Sequence, residues 1–359
     1  MKGHKGDTKN CYMSGRNIFP HRLPLRPTYK NLINYYASTS IQARNMADGA
    51  FLFERMVNED DTIWLGIAGV GIAGGMGGIV IELMERGQID VICSTGAQVY
   101  HDLHFAFGLP VKQGSPDVDD NDLRDKGVTR IYDIYIDEEK TLKAQDEIIR
   151  DFCRTLKKRR LSSPDFNYEL GKYVLKHAKH PERSFVAMAA KYGVPIFWDS
   201  PSNHSIAMNI AVMTQEGIRI TIDANLDVIE SAAIVFNSKA TGFVELGGGG
   251  PKNFIQQTSP TVSQIFKIPF EGADRGLQIT TDQETNAGLS GCTFKEGVSW
   301  GKYKDATKGL VQITGEYSTI FPLIAGYVIE VCNVRTFKNI IEHKKEMRDK
   351  LEAAAKAVK

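Results

Sequence analysis

The densest chemistry in the chain stands in Gly297-Val298-Ser299-Trp300-Gly301-Lys302, with Glu296 directly before it. A lysine is a nucleophile only when partly neutral, and desolvation against an apolar wall achieves that. A tryptophan face attracts an ammonium group through its π electrons, and a carboxylate pairs with one. Lys302, Trp300 and Glu296 thus hold the ingredients of imine chemistry on an amine substrate, with Lys302 as the catalytic amine. The plainer alternative for a lone W-G-K is a surface lysine beside a core tryptophan.

Two glycine runs point to a second ligand. Gly69-Val70-Gly71-Ile72-Ala73-Gly74 matches G-x-G-x-x-G. It follows the apolar run Thr62–Ala68 and precedes a predicted helix over Met76–Glu85. In that setting the glycines let backbone N–H groups approach a pyrophosphate at a helix N-terminus, which makes Gly69, Gly71 and Gly74 candidate cofactor contacts. The acidic residue expected about 20 positions on is met only loosely, because Asp90 starts the next predicted strand rather than ending it. A tight strand–helix turn without a ligand is the alternative. Gly247-Gly248-Gly249-Gly250 follows the apolar run Phe243–Leu246, and a helix is expected from near Lys252. Four glycines cost backbone entropy, which close approach to a ligand would explain. A flexible linker is the rival reading, and the apolar flanks argue against it.

The scaffold follows from the spacing of apolar residues. Helix is predicted over Asn31–Asn58, Met76–Glu85, Glu138–Lys157, Tyr168–His177 and Ser184–Tyr192. Strands are predicted at Thr62–Ala68, Asp90–Ser94, Ile131–Ile136, Val194–Trp198, Arg219–Asp223, Phe243–Leu246, Gln278–Thr280 and Val311–Ile313. Ala232–Phe236 reads as a helix end or a strand, and 111–127 as a long acidic loop. Strands that end in Gly, Ser, Thr or Asn and alternate with helices predict an α/β fold, a doubly wound and mostly parallel sheet with helices on both faces. Its site lies at the carboxyl ends of the strands. We expect an irregular, basic extension over 1–25, one domain over 26–340, and a helical tail over 341–359 that frays.

The composition is that of an ordinary globular chain of 359 residues, 42% hydrophobic and 24% charged, with a formal net charge of +1. No uniform field draws it to nucleic acid or to an acidic membrane, and no apolar run has the length of a spanning helix. The five cysteines are widely spaced without a CxxC pair, so neither a disulfide framework nor a metal site is expected. Met1–Asp7 lacks the apolar core of a secretory signal. A cytoplasmic location is the expectation.

Taken in order, Leu65-Gly66, Asp90-Val91, Ser94-Thr95-Gly96, Ala240-Thr241-Gly242, Leu246-Gly247-Gly248-Gly249, Val298-Ser299-Trp300-Gly301-Lys302 and Phe321-Pro322-Leu323 resemble deoxyhypusine synthase over roughly residues 30–335. The resemblance implies a Rossmann-like domain in a homotetramer, with NAD bound at subunit interfaces. It implies that hydride passes to NAD from a carbon next to a spermidine nitrogen. The aminobutyl group then moves to an enzyme lysine and on to a lysine of a translation factor, and the hydride returns. By the same resemblance Lys302 forms the imine, Trp300 and Glu296 line the amine pocket, and Gly69, Thr95, Gly96, Gly248 and Thr281 fall at NAD-contact positions.

The departures shape the expectation. Two family glutamates correspond to Tyr100 and His101, two spermidine-gripping aspartates to Met208 and Leu289, and the general-base histidine to Asn253. Cofactor-contacting aspartates correspond to Asn203, Asn286 and Glu316. Tyr100 and Asn253 are therefore candidate substrate contacts, and Asn203, Asn286 and Glu316 candidate cofactor contacts. His101 is a candidate base near neutral pH, with His204 second; a structural histidine is the alternative for each. With Tyr100-His101-Asp102-Leu103-His104 the chain resembles the deoxyhypusine synthase-like branch, which keeps the lysine and need not modify a protein. The expected activity is NAD-dependent transfer of an aminobutyl group from a polyamine such as spermidine to a small amine, as in homospermidine synthesis. Modification of a translation-factor lysine is the alternative. A non-catalytic homologue that binds NAD or polyamine is the third reading.

Overall fold

A computed structural model describes residues 13–14, 17–157 and 159–358. Met1–Asp7 and Cys11 lie outside the described residues. Six parallel strands form the central sheet: β1 Thr62–Ile67, β2 Val91–Ser94, β3 Ile196–Trp198, β4 Thr241–Leu246, β5 Arg275–Thr280 and β6 Leu310–Thr314, in spatial order β6-β5-β4-β1-β2-β3. Every residue of β1, β4 and β5 is buried. That is why these strands read as continuous apolar runs rather than as alternating ones. The chain builds outward from β1 to β2 and β3, then returns to β4 beside β1 and builds the other way. This is the strand order of dinucleotide-binding sheets, whose ligands sit where the order reverses. Here the reversal lies between β1 and β4, with Ile67 paired to Leu246. It brings both glycine runs side by side.

Side chains alternate across the sheet. Ile63, Leu65, Val244 and Leu277 face one core, with α1 Ile41–Asn58, α2 Gly77–Glu85, α3 Gly96–Phe107 and α4 Phe185–Tyr192. Trp64, Phe197 and Phe243 face a second core, with α5 Ala224–Asn237, α6 Gly249–Pro260 and α7 Phe294–Ser299. Two further helices, α8 Tyr317–Val331 and α9 Ile340–Ala357, join the first and the second face respectively. The tail helix is docked rather than frayed. Lys344 Nζ bonds Ser162 Oγ at 2.9 Å and pairs with Glu230, Leu351 is buried, and Asn237 Nδ2 donates to Met347 O of α9 at 3.0 Å.

Several predicted elements are redrawn. The helix expected over Asn31–Asn58 is two helices, Tyr29–Ala37 and α1. The Ser38 and Thr39 hydroxyls bond back to Tyr35 O and Tyr36 O, both at 2.7 Å, and compete with the helical ladder. The strand expected over Ile131–Ile136 is a hairpin, Val128–Ile131 with Ile134–Asp137, and Tyr132 turns it at φ 53° without any glycine. Val111–Gln113 pairs with this hairpin, and a short helix spans Asp120–Asp125, so the acidic stretch is not one loop. The strand over Arg219–Asp223 shrinks to Thr221–Ile222, which pairs with Arg160–Leu161 away from the main sheet. Ala232–Phe236 is helical, inside α5; burial on most sides gave it a strand-like apolar run.

Asp102, inside the histidine-flanked run of α3, clamps the start of α4. Its fully buried carboxylate accepts from the Ser184 hydroxyl, from Phe185 N at 2.9 Å and from Val186 N at 3.2 Å. Asp102→Ala strands those donors in a dry environment. We expect it to lower unfolding free energy by about 3 kcal/mol or more in urea titration, and a loss below 1 kcal/mol would contradict the clamp.

Candidate active site

Lys302 follows α7 through Trp300 and Gly301. Gly301 takes φ 70° and turns the chain so that Ala273 N bonds Lys302 O at 2.9 Å, just before β5. The Lys302 side chain is only 6% exposed, and its Nζ donates to Asn253 Oδ1 at 3.2 Å. Asn253 stands on the second turn of α6, so the glycine run after β4 and the lysine segment meet at this bond. Tyr303 lies fully buried under the lysine. Its hydroxyl donates to Glu245 Oε1 at 3.0 Å, and Gln256 Nε2 donates to the same oxygen at 2.8 Å.

A second lysine stands next to Asn253. Lys252 is buried, and its Nζ donates to Gln278 Oε1 at 2.9 Å, Ser290 O at 3.3 Å and Cys292 O at 2.7 Å. All three donors of an ammonium are used, so Lys252 has no lone pair for chemistry. It pins the 290–292 segment, the approach to α7. Gln278 helps by donating to Ser290 O at 2.7 Å and Gly247 O at 2.8 Å. Burial pulls the Lys252 ammonium below its ordinary value while the charge of Glu245 opposes that shift. Burial pushes the Glu245 carboxyl up, and Lys252 opposes in turn.

Of the other amine-pocket candidates, Glu296 is exposed on α7, and the Cys292 thiol nearby donates to Thr293 O at 3.7 Å. Trp300 is 65% exposed. It is thus not the core tryptophan of the plainer reading, and Lys302 is not at the surface.

Tyr100 and His101 stand elsewhere. Both lie on α3, on the first-core face, whereas Lys302 approaches α6 on the opposite face. The buried Tyr100 hydroxyl donates to Asp146 Oδ1 at 3.0 Å. His101 Nδ1 and His104 Nε2 share one proton position at 3.0 Å. Burial holds His101 down to about 4; burial and the His101 ring hold His104 down to about 3, with Gln145 opposing. A base with so low a value drives proton transfer weakly near neutral pH. His204 is a helix cap: its Nδ1 accepts Ala207 N at 3.3 Å, and its ring lies on Gly96 and 4.4 Å from the Trp198 ring centre.

The depressed histidines set a pH dependence. The unfolded chain binds protons near the ordinary value of 6.5, and the folded one only near 4 or 3. Their contribution to stability is therefore full above pH 6.5 and is lost as pH falls through that value toward about 4. A His101→Asn/His104→Asn double variant should lose less of its melting temperature over this interval than the parent. Equal losses would contradict the assignment.

At the carboxyl ends of β1 and β4 three glycine positions leave open space. Gly249 takes φ 57°, and a Cβ on Gly249, Gly74 or Gly75 would meet nothing within 4 Å. A cleft of about 630 Å³ opens against the glycine turn after β1, lined among others by Gly74, Gly75, Tyr132, Glu316 and Tyr317 but by none of Gly247–Gly250. Gly69 and Gly71 serve differently from the motif's reading. The Tyr317 ring packs on both, its hydroxyl accepts Gly71 N at 3.0 Å, and it donates to Ala68 O at 2.8 Å. Gln98 Oε1 takes Ile72 N at 2.8 Å. The open positions are therefore Gly74, Gly75 and Gly249, while Gly248 packs on Ser290. Thr95 and Glu316 cap α3 and α8 and border the same edge; Gly96 begins α3. Thr281 and Asn203 are exposed on loops after β5 and β3, and Asn286 ends an exposed single helical turn after β5. Asp90 sits at the opposite end of the sheet, accepting Ile63 N at 2.8 Å and pairing with Arg335 at 2.8 Å.

Sequence reasoning missed Lys252, Glu245, Gln278, Tyr303 and Tyr317. Only Glu245 left a signal, a lone charge inside an apolar strand. Among the described residues no group of three or more His, Cys, Asp or Glu is placed to hold a metal, and no helix is long and apolar enough to cross a membrane.

A family model described as deoxyhypusine synthase matches residues 31–328. A "Deoxyhypusine synthase-like protein" of Nostoc punctiforme is 33% identical over 347 residues, 94% of this chain and 89% of that protein. A "Probable deoxyhypusine synthase 2" of Methanosarcina acetivorans is 36% identical over 315 residues, 86% and 90% of the two chains. A solved structure described as a "putative deoxyhypusine synthase" from Entamoeba histolytica superposes with a TM-score of 0.54 at 18% identity, covering 88% of this chain and 96% of that one, and so shares the fold.

Proposed function

Because the chain belongs to the deoxyhypusine synthase family, we propose that it is an NAD-dependent aminoalkyl transferase that carries the aminobutyl group of a polyamine such as spermidine, through an imine on Lys302, to a small amine acceptor, as in homospermidine synthesis. The observation that carries this reading is the buried Lys302 amine held at 3.2 Å by the neutral Asn253 amide. The amide oxygen accepts one N–H and fixes the direction of Nζ, and Asn253 neither adds nor removes charge.

Gly74, Gly75 and Gly249 would hold NAD at the strand-order reversal, with Gly69, Gly71, Gly248, Thr95, Gly96, Asn203, Thr281, Asn286 and Glu316 around that edge. The chemistry a bound NAD supplies is removal of hydride from the donor carbon beside the secondary nitrogen, and its return at the end, with no net redox change. The Lys302 Nζ lone pair attacks the resulting imine carbon. The bond from that carbon to the donor nitrogen breaks, and the diamine leaves with the proton. The acceptor amine then attacks the same carbon, and Lys302 leaves as the free amine. Trp300 offers a π face to the substrate ammonium and Glu296 a carboxylate. Trp300, Met208 at 62% and Leu289 at 51% exposure are large apolar side chains open to solvent. Such uncovered apolar surface supports burial against neighbouring subunits, in a homotetramer. The described cysteines are all free, which supports a cytoplasmic location.

Modification of a protein lysine is the second reading, favoured by the 36% identity to a "Probable deoxyhypusine synthase 2". The test uses spermidine labelled in its butyl segment, NAD, and either putrescine or the translation factor as acceptor. Label in homospermidine supports the first reading, and label in the protein the second. Label in neither, with NAD bound, leaves the non-catalytic homologue.

A further inference from the structure

The following rests on the aminoalkyl-transfer reading. Asp199 directly follows β3, with its N–H on Ser94 O at 3.2 Å. Its carboxylate lies on the first turn of α6: a Cβ on Gly250 would stand 1.9 Å from Asp199 Oδ2. Among the described residues no Lys, Arg or His forms an ion pair with it. Burial pushes its carboxyl up, and only backbone N–H groups of Asp199 and Ser200 oppose that shift. A half-buried carboxylate without a cation is costly, and an arriving ammonium relieves the cost.

The placement of Asp199 relative to Lys302 gives this carboxylate a use. Gly250 and Asn253 are three residues apart on α6 and so share a face. Asp199 comes onto this face from the β3 side, where the tilted Phe197 and Phe254 rings lie 5.6 Å apart, centre to centre. Lys302 comes from the β5 side and ends on Asn253. Gly250 and Asn253 are separated by a rise of about 4.5 Å along α6, so the two groups meet the same helical face on the scale of one short aliphatic chain.

We propose that Asp199 binds the free ammonium end of an aliphatic polyamine whose other reacting end lies at Lys302. It is a specificity residue for the proposed reaction, selecting substrates with a second cation. The competing role is structural: a carboxylate near a helix N-terminus is favoured by the helix dipole without any ligand.

The test measures binding of spermidine and of butylamine, which has one cation, to the full-length protein without NAD, together with the ligand-free melting temperature. It is paired with borohydride trapping in the presence of NAD and spermidine. Asp199→Asn should weaken spermidine about 10- to 100-fold and leave butylamine nearly unchanged, and Asp199→Glu should recover part of the loss. Unchanged spermidine affinity, with the Lys302 adduct still trapped, overturns the role of Asp199 and leaves the transfer reading standing. Equal weakening of both amines together with a lower melting temperature overturns it in favour of the helix-end role. A parent protein that neither binds spermidine nor traps an adduct overturns the transfer reading, and this proposal with it.

Discussion

Lys302→Ala should lower aminoalkyl transfer on the order of 10⁴-fold or more, with little change in NAD affinity or folding. Lys302 forms the covalent bond in the proposed path, and no neighbour can replace it. Lys252, beside its partner Asn253, has every donor committed to Gln278, Ser290 and Cys292. Removing Lys302 leaves Asn253 Oδ1 without its partner in a half-buried position, which is a small structural loss. Lys302→Arg should be as inactive as the alanine variant, because a guanidinium does not become neutral at working pH. Transfer within tenfold of the parent in Lys302→Ala would mean that the carbon–nitrogen exchange bypasses the lysine.

Lys252→Met should be the most damaging substitution for stability in the site, at about 3–5 kcal/mol. It strands the buried Glu245 carboxylate without its nearest cation and leaves Ser290 O and Cys292 O without that donor. It also frees the segment that leads into α7, so Lys302 loses its registration on Asn253. A misplacement of about 1 Å costs on the order of 10²-fold in rate. Adding Glu245→Gln should restore part of the stability, because the unpaired charge is then gone, while activity stays low. Urea unfolding of the two single variants and the double variant gives the coupling. Strict additivity would mean that Lys252 and Glu245 do not sense each other.

How far the sequence reaches can be judged from these residues. β1 and β4 stand out because strands buried on both faces must be apolar throughout, and their parallel arrangement follows from the helices between them. The reversal between β1 and β4 is not visible in the sequence, because strand order is set by non-local pairing. The glycine turn is visible, but its filling by Tyr317 is not, since that residue lies 246 positions from Gly71. His101 and His104 stand three apart and so touch on a helix; that they are buried and neutral depends on which face α3 turns inward. The Lys302 segment shows in residue types alone, whereas its fixed direction needs Asn253 from another element. Lys252 reads as an ordinary lysine at a helix start until three carbonyl-type oxygens are seen around it.

Reductive trapping tests the central claim most directly. The full-length protein is incubated with NAD and spermidine, quenched with borohydride, digested and mapped by mass spectrometry. A single aminobutyl increment on the peptide carrying Lys302, absent without NAD and absent in Lys302→Ala, is the predicted result. Stoichiometric NAD binding with no increment on any lysine, or an increment that persists in Lys302→Ala, would contradict the account.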